Sequence, residues 1–396
     1  MPDLLSILTS LAWPVAIALA WLAGEFGQHF TGLPRVTFYG LVGFALASGQ
    51  VGILPVPNGG AALVAADIAF GLMLFELGYR INLRWFRTNP WLGVASLVEA
   101  GATFAGVRWI ALAFGTEPTT ALMLAALAMA TSPATVVRVV NEQRASGQVT
   151  ERVMHLAAVN CVLAVFAFNL VVGYWMFRST EDLGEAAWLS FRSLVVSGLA
   201  GAFAGVAVSA LLRALGNLAQ DATVAFALSV ILLVSVTYTF RLSPVVAALA
   251  FGLTARHRRV AYGQAQRSFG ALGDLLTVLL YVYCASMLDW RIVTAGLVPS
   301  LAMVAVRLVT KTAGVALFSP LSGISWRKGA LTGLGLAPLS IFIILVLEHA
   351  RVSGVALPAA AQAMAAVSLL LELGAPVILQ RALVWARETP EGQHGA

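Results

Sequence analysis

The chain has 396 residues, of which 60% are hydrophobic and 11% charged, with a net charge of +6 and a mean hydropathy of +0.88. A soluble domain carries roughly 25% charge, so the composition excludes a soluble enzyme and defines a polytopic membrane protein. The only two cysteines, Cys161 and Cys284, lie in apolar segments, which excludes a disulfide framework and reads as small buried side chains.

Thirteen candidate spans follow from apolar length. They are 4–23, 36–54, 61–79, 91–114, 119–141, 153–177, 187–212, 222–240, 243–255, 271–289, 294–318, 327–347 and 355–380. The first lacks a positively charged leader segment and reads as a spanning helix rather than a cleaved signal. The ninth is short and is set off from the eighth only by Arg241-Leu242-Ser243-Pro244, a turn signal. Counting Lys and Arg loop by loop gives 15 on one side and 5 on the other, with 4 inside spans. By the positive-inside rule the N-terminus is expected outside and the C-terminus in the cytoplasm, in a bacterial inner (plasma) membrane.

Thirteen spans divide as six, one and six, so the two halves are expected to have opposite topology. Two segments carry breaks. Thr131-Ser132-Pro133 interrupts Leu122–Val140, and Gly333-Leu334-Gly335-Leu336-Ala337-Pro338 interrupts Ala330–Leu347. Proline removes an amide donor and glycine weakens a helix. Freed backbone groups at membrane depth are tolerated only against protein or a polar cavity. Each break falls in the fifth helix of its half, the placement expected of a secondary transporter's binding site. The fold expected is therefore all-α, with about 13 transmembrane helices in an inverted-topology repeat and two discontinuous helices that cross.

At about 1.5 Å per residue, Glu99, Pro133, Asn160, Lys311 and Gly335 all fall about 10–12 Å above the inner boundary of a ~30 Å core. Lys311, one of two lysines in the chain, carries most weight. A charge at this depth costs several kcal/mol unless paired or solvated. It reads either as a titrating or gating cation, or as half of a static bridge to Glu99 or a bond to broken-helix carbonyls. Glu99 is either its partner or a proton carrier. Arg307, one turn away, either lines the same cavity or caps a helix C-terminus. Glu76 reads as a boundary ion pair with Arg80, and Asp67 as polar glue between helices. Thr131, Ser132 and Asn160 are the candidate oxygen ligands for a monovalent cation. No zinc motif, phosphate loop, nucleophile elbow or nucleotide fingerprint is present, which argues against an enzyme, a resident cofactor or a nucleic-acid partner.

These residues resemble the monovalent cation:proton antiporter superfamily, the sodium/proton exchanger fold, over roughly residues 10–380. Leu74-Phe75-Glu76-Leu77-Gly78-Tyr79-Arg80 is similar to the family's segment ending helix 3, and Ala130-Thr131-Ser132-Pro133-Ala134 to its unwound helix. Leu242-Ser243-Pro244 with Ala247–Gly252, Arg307-Leu308-Val309-Thr310-Lys311 and Gly333–Pro338 are similar to the corresponding segments of its second half. The resemblance implies alternating access, a homodimer, and exchange of Na⁺ or K⁺ for protons across the lipid bilayer. It implies a dimerisation domain (1–90 and 221–290), a core transport domain (91–180 and 291–385), a linker helix (181–220) and a disordered tail (386–396). One position departs from the family. Asn160 begins its signature pair, but the aspartate that should follow is Cys161, and a neutral thiol is a poor ligand for a hard cation. Either Glu99 or Asp67 substitutes for it, or the chain carries an anion instead, or it is a transport-inactive sensor or scaffold.

Overall fold

Proline and serine set where many of the helices begin. A computed structural model describes residues 4–55, 61–176, 183–214, 222–240, 242–258, 265–340, 343–345 and 358–390. Its helices are α1 (Leu4–Thr31), α2 (Arg35–Leu46), α3 (Ala61–Arg80), α4 (Leu83–Thr88), α5 (Pro90–Ala113), α6 (Pro118–Ala128), α7 (Pro133–Glu142) and α8 (Gln148–Met176). There follow α9 (Leu183–Ala214), α10 (Ala222–Thr239), α11 (Pro244–His257), α12 (Ala265–Ser286), α13 (Trp290–Ala295), α14 (Leu297–Phe318), α15 (Trp326–Gly335) and α16 (Pro358–Trp385). Among the described residues there is no strand. Ser132 and Ser243 each cap a helix whose next residue is proline, accepting from Thr135 N at 3.2 Å and Val246 N at 3.4 Å. A serine cap with proline at the first helical position satisfies one amide and omits another. The two Ser-Pro motifs are the same device.

Each expected span has a helical counterpart. The fifth is split into α6 and α7, and the twelfth is helical at α15 and again over 343–345. Residues 341–342 and 346–357, which follow the second break in sequence, lie outside the described residues. Two short helices, α4 and α13, were not expected; each has only 6 residues, too few to give a periodic signal. Leu19, Trp21, Phe26, Leu199, Phe203, Leu228 and Leu232 are exposed. Apolar surface in that quantity fits lipid rather than water. The chain is a polytopic, all-helical membrane protein.

Packing falls into two sets. In one, α11 lies against α3 and α9, and α12 against α2 and α3; in the other, α14 lies against α5 and α15, and α6 and α15 against α8. The short ninth span, α11, is stabilised by close backbone approach. A Cβ at Gly78 would run into the Leu249 carbonyl, and one at Gly252 into the Phe75 carbonyl.

The tail expected from residue 386 is ordered at its start, which corrects that reading for the residues described. Arg387 takes a left-handed φ of 60°, turning the chain so that Glu388 reaches the start of α8. Its carboxylate accepts from Val149 N, Thr150 N and Thr150 Oγ1, each at 2.8 Å. Thr389 is buried. A carboxylate on the first amides of a helix satisfies donors that the helix leaves open and complements its dipole. Residues 391–396 lie outside the described residues.

Candidate functional site

The two breaks meet. Ser132 N donates to Pro338 O at 2.9 Å, and Thr131 Oγ1 to Leu336 O at 3.4 Å. Where two helices stop in one place, their last carbonyls stay unpaired. Two cations from α14 satisfy them. Arg307 Nε donates to Ala128 O at 2.9 Å, Nη1 to Ala337 O at 2.5 Å, and Nη2 to Ala130 O at 2.8 Å, Leu336 O at 3.2 Å and Pro338 O at 3.3 Å. Arg307 therefore takes the capping alternative, tying both breaks together through the fork of its guanidinium. Lys311 Nζ donates to Met129 O at 3.0 Å and to Glu99 Oε2, also at 3.0 Å.

The Glu99–Lys311 pair has no exposed side-chain surface on either partner. Glu99 Oε1 accepts from Asn160 Nδ2 at 2.5 Å. The same amide nitrogen donates to Thr131 Oγ1 at 3.2 Å, and Asn160 Oδ1 accepts from Ser96 Oγ at 3.2 Å. The Cys161 thiol donates to Thr131 O at 3.1 Å. Thus α5, α6, α8 and α14 each place a polar side chain or carbonyl at one buried point. The shared layer expected for Glu99, Asn160, Lys311 and the breaks corresponds to direct contact.

Asn160 turns its amide nitrogen, not its oxygen, toward Glu99 and Thr131 in this conformation, an orientation that follows from the hydrogen-bond network. Ser132 Oγ accepts from Thr135 N at 3.2 Å and Thr135 Oγ1 at 2.9 Å, so it is engaged as a cap. Of the three oxygens expected around a cation, the Thr131 hydroxyl accepts from the Asn160 amide, which also donates to the Glu99 carboxylate. Among the described residues no group of three or more His, Cys, Asp or Glu side chains is placed to hold a metal ion.

Gly333 and Gly335 act as spacers. A Cβ at Gly333 would stand 2.9 Å from Lys311 O, and one at Gly335 2.6 Å from Val153 Cγ2. Glu76 bonds Arg80 at 2.9 Å, as its spacing suggested. Asp67, the other candidate carboxylate, accepts from Tyr238 Oη at 2.8 Å on α10.

Two residues of the site were not anticipated. Ser96 is one turn from Glu99 on the same face of α5, a spacing that marks neighbours. Gly314 is one turn from Lys311 and brings α14 onto α5: a Cβ there would lie 2.6 Å from Glu99 Cβ and 2.7 Å from Glu99 Cα. Gly314→Val is expected to force these helices apart, costing about 1–3 kcal/mol of overpacking and separating Lys311 from Glu99. Thermal unfolding in detergent measures it, with Gly314→Ala milder; parental stability in the valine variant would show that the close approach is dispensable.

Broken helices whose open carbonyls are held by buried cations, beside a buried carboxylate, define a membrane transporter built on discontinuous helices. The chain belongs to the sodium/hydrogen exchanger family: the family model for the sodium/hydrogen exchanger transmembrane region matches residues 15–385. That is a family of transporters and not of enzymes. The fold is similar to that of the sodium proton antiporter MjNhaP1 from Methanocaldococcus jannaschii. Its structure at pH 8 superposes with a TM-score of 0.70 at 15% identity, covering 94% of this chain and 95% of that one. A structure of the same antiporter from an electron-microscopy map gives a TM-score of 0.70 at 16% identity, over 98% and 97% of the two chains. No curated protein matches the sequence significantly.

Proposed function

We propose that the chain is a secondary-active antiporter that exchanges a monovalent cation, Na⁺ or K⁺, for protons by alternating access, with Glu99 in place of the missing aspartate. The observation that carries this reading is the Glu99 carboxylate, shared between Lys311 Nζ at 3.0 Å and Asn160 Nδ2 at 2.5 Å beside the first break. A hard cation needs oxygen ligands and a compensating charge. Glu99 supplies the charge, while Thr131 and the carbonyls at the break supply neutral oxygens. An arriving cation competes with the Lys311 ammonium for Glu99, and a proton arriving on Glu99 releases the cation. Family membership and the likeness to a sodium proton antiporter support the same exchange.

The two packing sets support a core of α5–α8 and α14–α16 that moves against α1–α3 and α10–α12 with α9 as linker. On this reading the protein works as a homodimer with its N-terminus outside. The anion reading rested on the missing aspartate at position 161, and the Glu99 carboxylate on Lys311 weighs against it. The test is proteoliposomes holding purified protein and a pH dye. Addition of Na⁺ or K⁺ is expected to drive proton efflux from an acidic lumen. Proton movement indifferent to Na⁺, K⁺ and Li⁺, in vesicles shown to be tight, would overturn the reading.

A further inference from the structure

The half-helix α7 starts at the site and carries a polar stripe away from it. Val136, Val137, Val139 and Val140 are buried. Thr135, Arg138, Asn141 and Glu142 recur at helical spacing on one side, and each bonds a residue of α2, α3 or α12. Thr135 Oγ1 meets Tyr281 Oη. Arg138 Nη1 pairs with Asp274, and its Nη2 donates to Thr277 Oγ1 at 2.8 Å. Asn141 Nδ2 donates to Glu76 Oε1 at 3.1 Å, and its Oδ1 accepts from Arg80 Nη2 at 2.5 Å. Glu142 accepts from Arg35 N at 3.3 Å.

A small pocket, partly open to solvent and with room for about one water, lies beside this stripe, lined by Met73, Glu76, Ala134, Arg138, Asn141 and Thr277 among others. It reaches Ala134, one residue short of Thr135, whose hydroxyl donates to Ser132 Oγ in the break. Asp274, the partner of Arg138, has 55% of its side chain exposed, whereas Thr131, Ser132, Glu99 and Asn160 have none. The contact of Thr135 with Tyr281 therefore stands between the pocket and a fully occluded site. A partly dehydrated cation crossing protein interior needs oxygens in succession, and this stripe supplies carboxylate, amide and hydroxyl oxygens in turn.

We propose that the polar stripe of α7 is a gated access path to the Glu99 site, from the side that the charge bias assigns to the cytoplasm. Thr135 and Tyr281 form its barrier, and the Arg138–Asp274 pair is the latch that holds the barrier shut. What passes along it rests on the antiport reading; the gate itself does not.

Cys161, whose thiol sits on Thr131 O inside the site, is a built-in reporter once Cys284→Ala leaves it as the sole cysteine. A charged, membrane-impermeant methanethiosulfonate is added to one face of oriented vesicles. In this background labelling is expected to be slow from both faces. In Asp274→Ala it is expected to rise about tenfold from the latch face alone, the shift produced by removing one charge-assisted contact, and to fall back in Arg138→Asp/Asp274→Arg. Tyr281→Phe, which removes only the hydroxyl, gives the same one-sided rise. No rise in Asp274→Ala removes the latch; no rise in Tyr281→Phe removes the barrier. A rise from both faces, or an equal rise in Asp67→Asn, means general loosening and overturns the proposal. Labelling does not depend on transport. One-sided opening in a protein that moves no protons keeps the gate and sinks the antiporter; cation-driven flux with unaltered labelling does the reverse.

Discussion

Glu99→Gln is expected to abolish cation-driven proton exchange. The substitution preserves length and shape but only one acceptor oxygen, so the side chain can keep the Lys311 contact or the present Asn160 contact, not both. It removes the negative charge that Lys311 and Asn160 hold beside the first break, and with it a group able to carry a proton. Apparent cation affinity should fall about 10–100-fold, as when one contributor to an ion site is lost, and proton efflux on adding cation should vanish, because an amide does not take up the proton that exchange requires. The same assay offers a rescue. Cys161 is adjacent to Asn160 on α8, and its thiol lies 3.1 Å from Thr131 O, at the position where the family pattern has aspartate. Cys161→Asp placed on Glu99→Gln restores a carboxylate on the other side of Thr131, and exchange is expected to return in part. Parental flux in Glu99→Gln alone would show that the carboxylate is not the carrier and would reopen the scaffold reading.

The breaks were legible because proline and glycine act locally: Pro133 and Pro338 lack an amide donor whatever surrounds them. The polar layer was legible because charges inside apolar spans are costly and rise along a helix is regular. The contacts that make a site of that layer were not. Glu99 and Lys311 are 212 residues apart and Asn160 lies between them in sequence, so the sequence left both Glu99 and Asp67 open as replacements for the aspartate; the packing of α14 on α5 brings Glu99 to Lys311, while α10 takes Asp67. Arg307 was open between cavity lining and capping for the same reason, since five carbonyls from two breaks converge on it only in three dimensions. Gly314 gave no signal among 36 glycines, because its significance is the close approach of another helix. Glu388 was read with the polar end of the chain, although its carboxylate is what α8 needs at its first turn.

Lys311→Met is expected to destabilise the protein more than any other single change at the site, by about 3–5 kcal/mol, because it leaves Glu99 as a buried charge without its partner. Arg307 cannot take over, since its donors already hold carbonyls at Ala128, Ala130, Leu336, Ala337 and Pro338. Adding Glu99→Gln removes the stranded charge, and the double variant is expected to recover most of the loss, so that the two substitutions are strongly non-additive. Thermal unfolding in detergent of the parent, both single variants and the double variant closes the cycle; additive effects would mean that Lys311 and Glu99 do not depend on each other for burial. The recovered double variant should still move no protons in response to cation. A protein that is stable without the pair but inert without it would place the cost of burying two charges on the side of transport rather than folding, because replacing a buried ion pair by neutral groups of similar size is often neutral or stabilising.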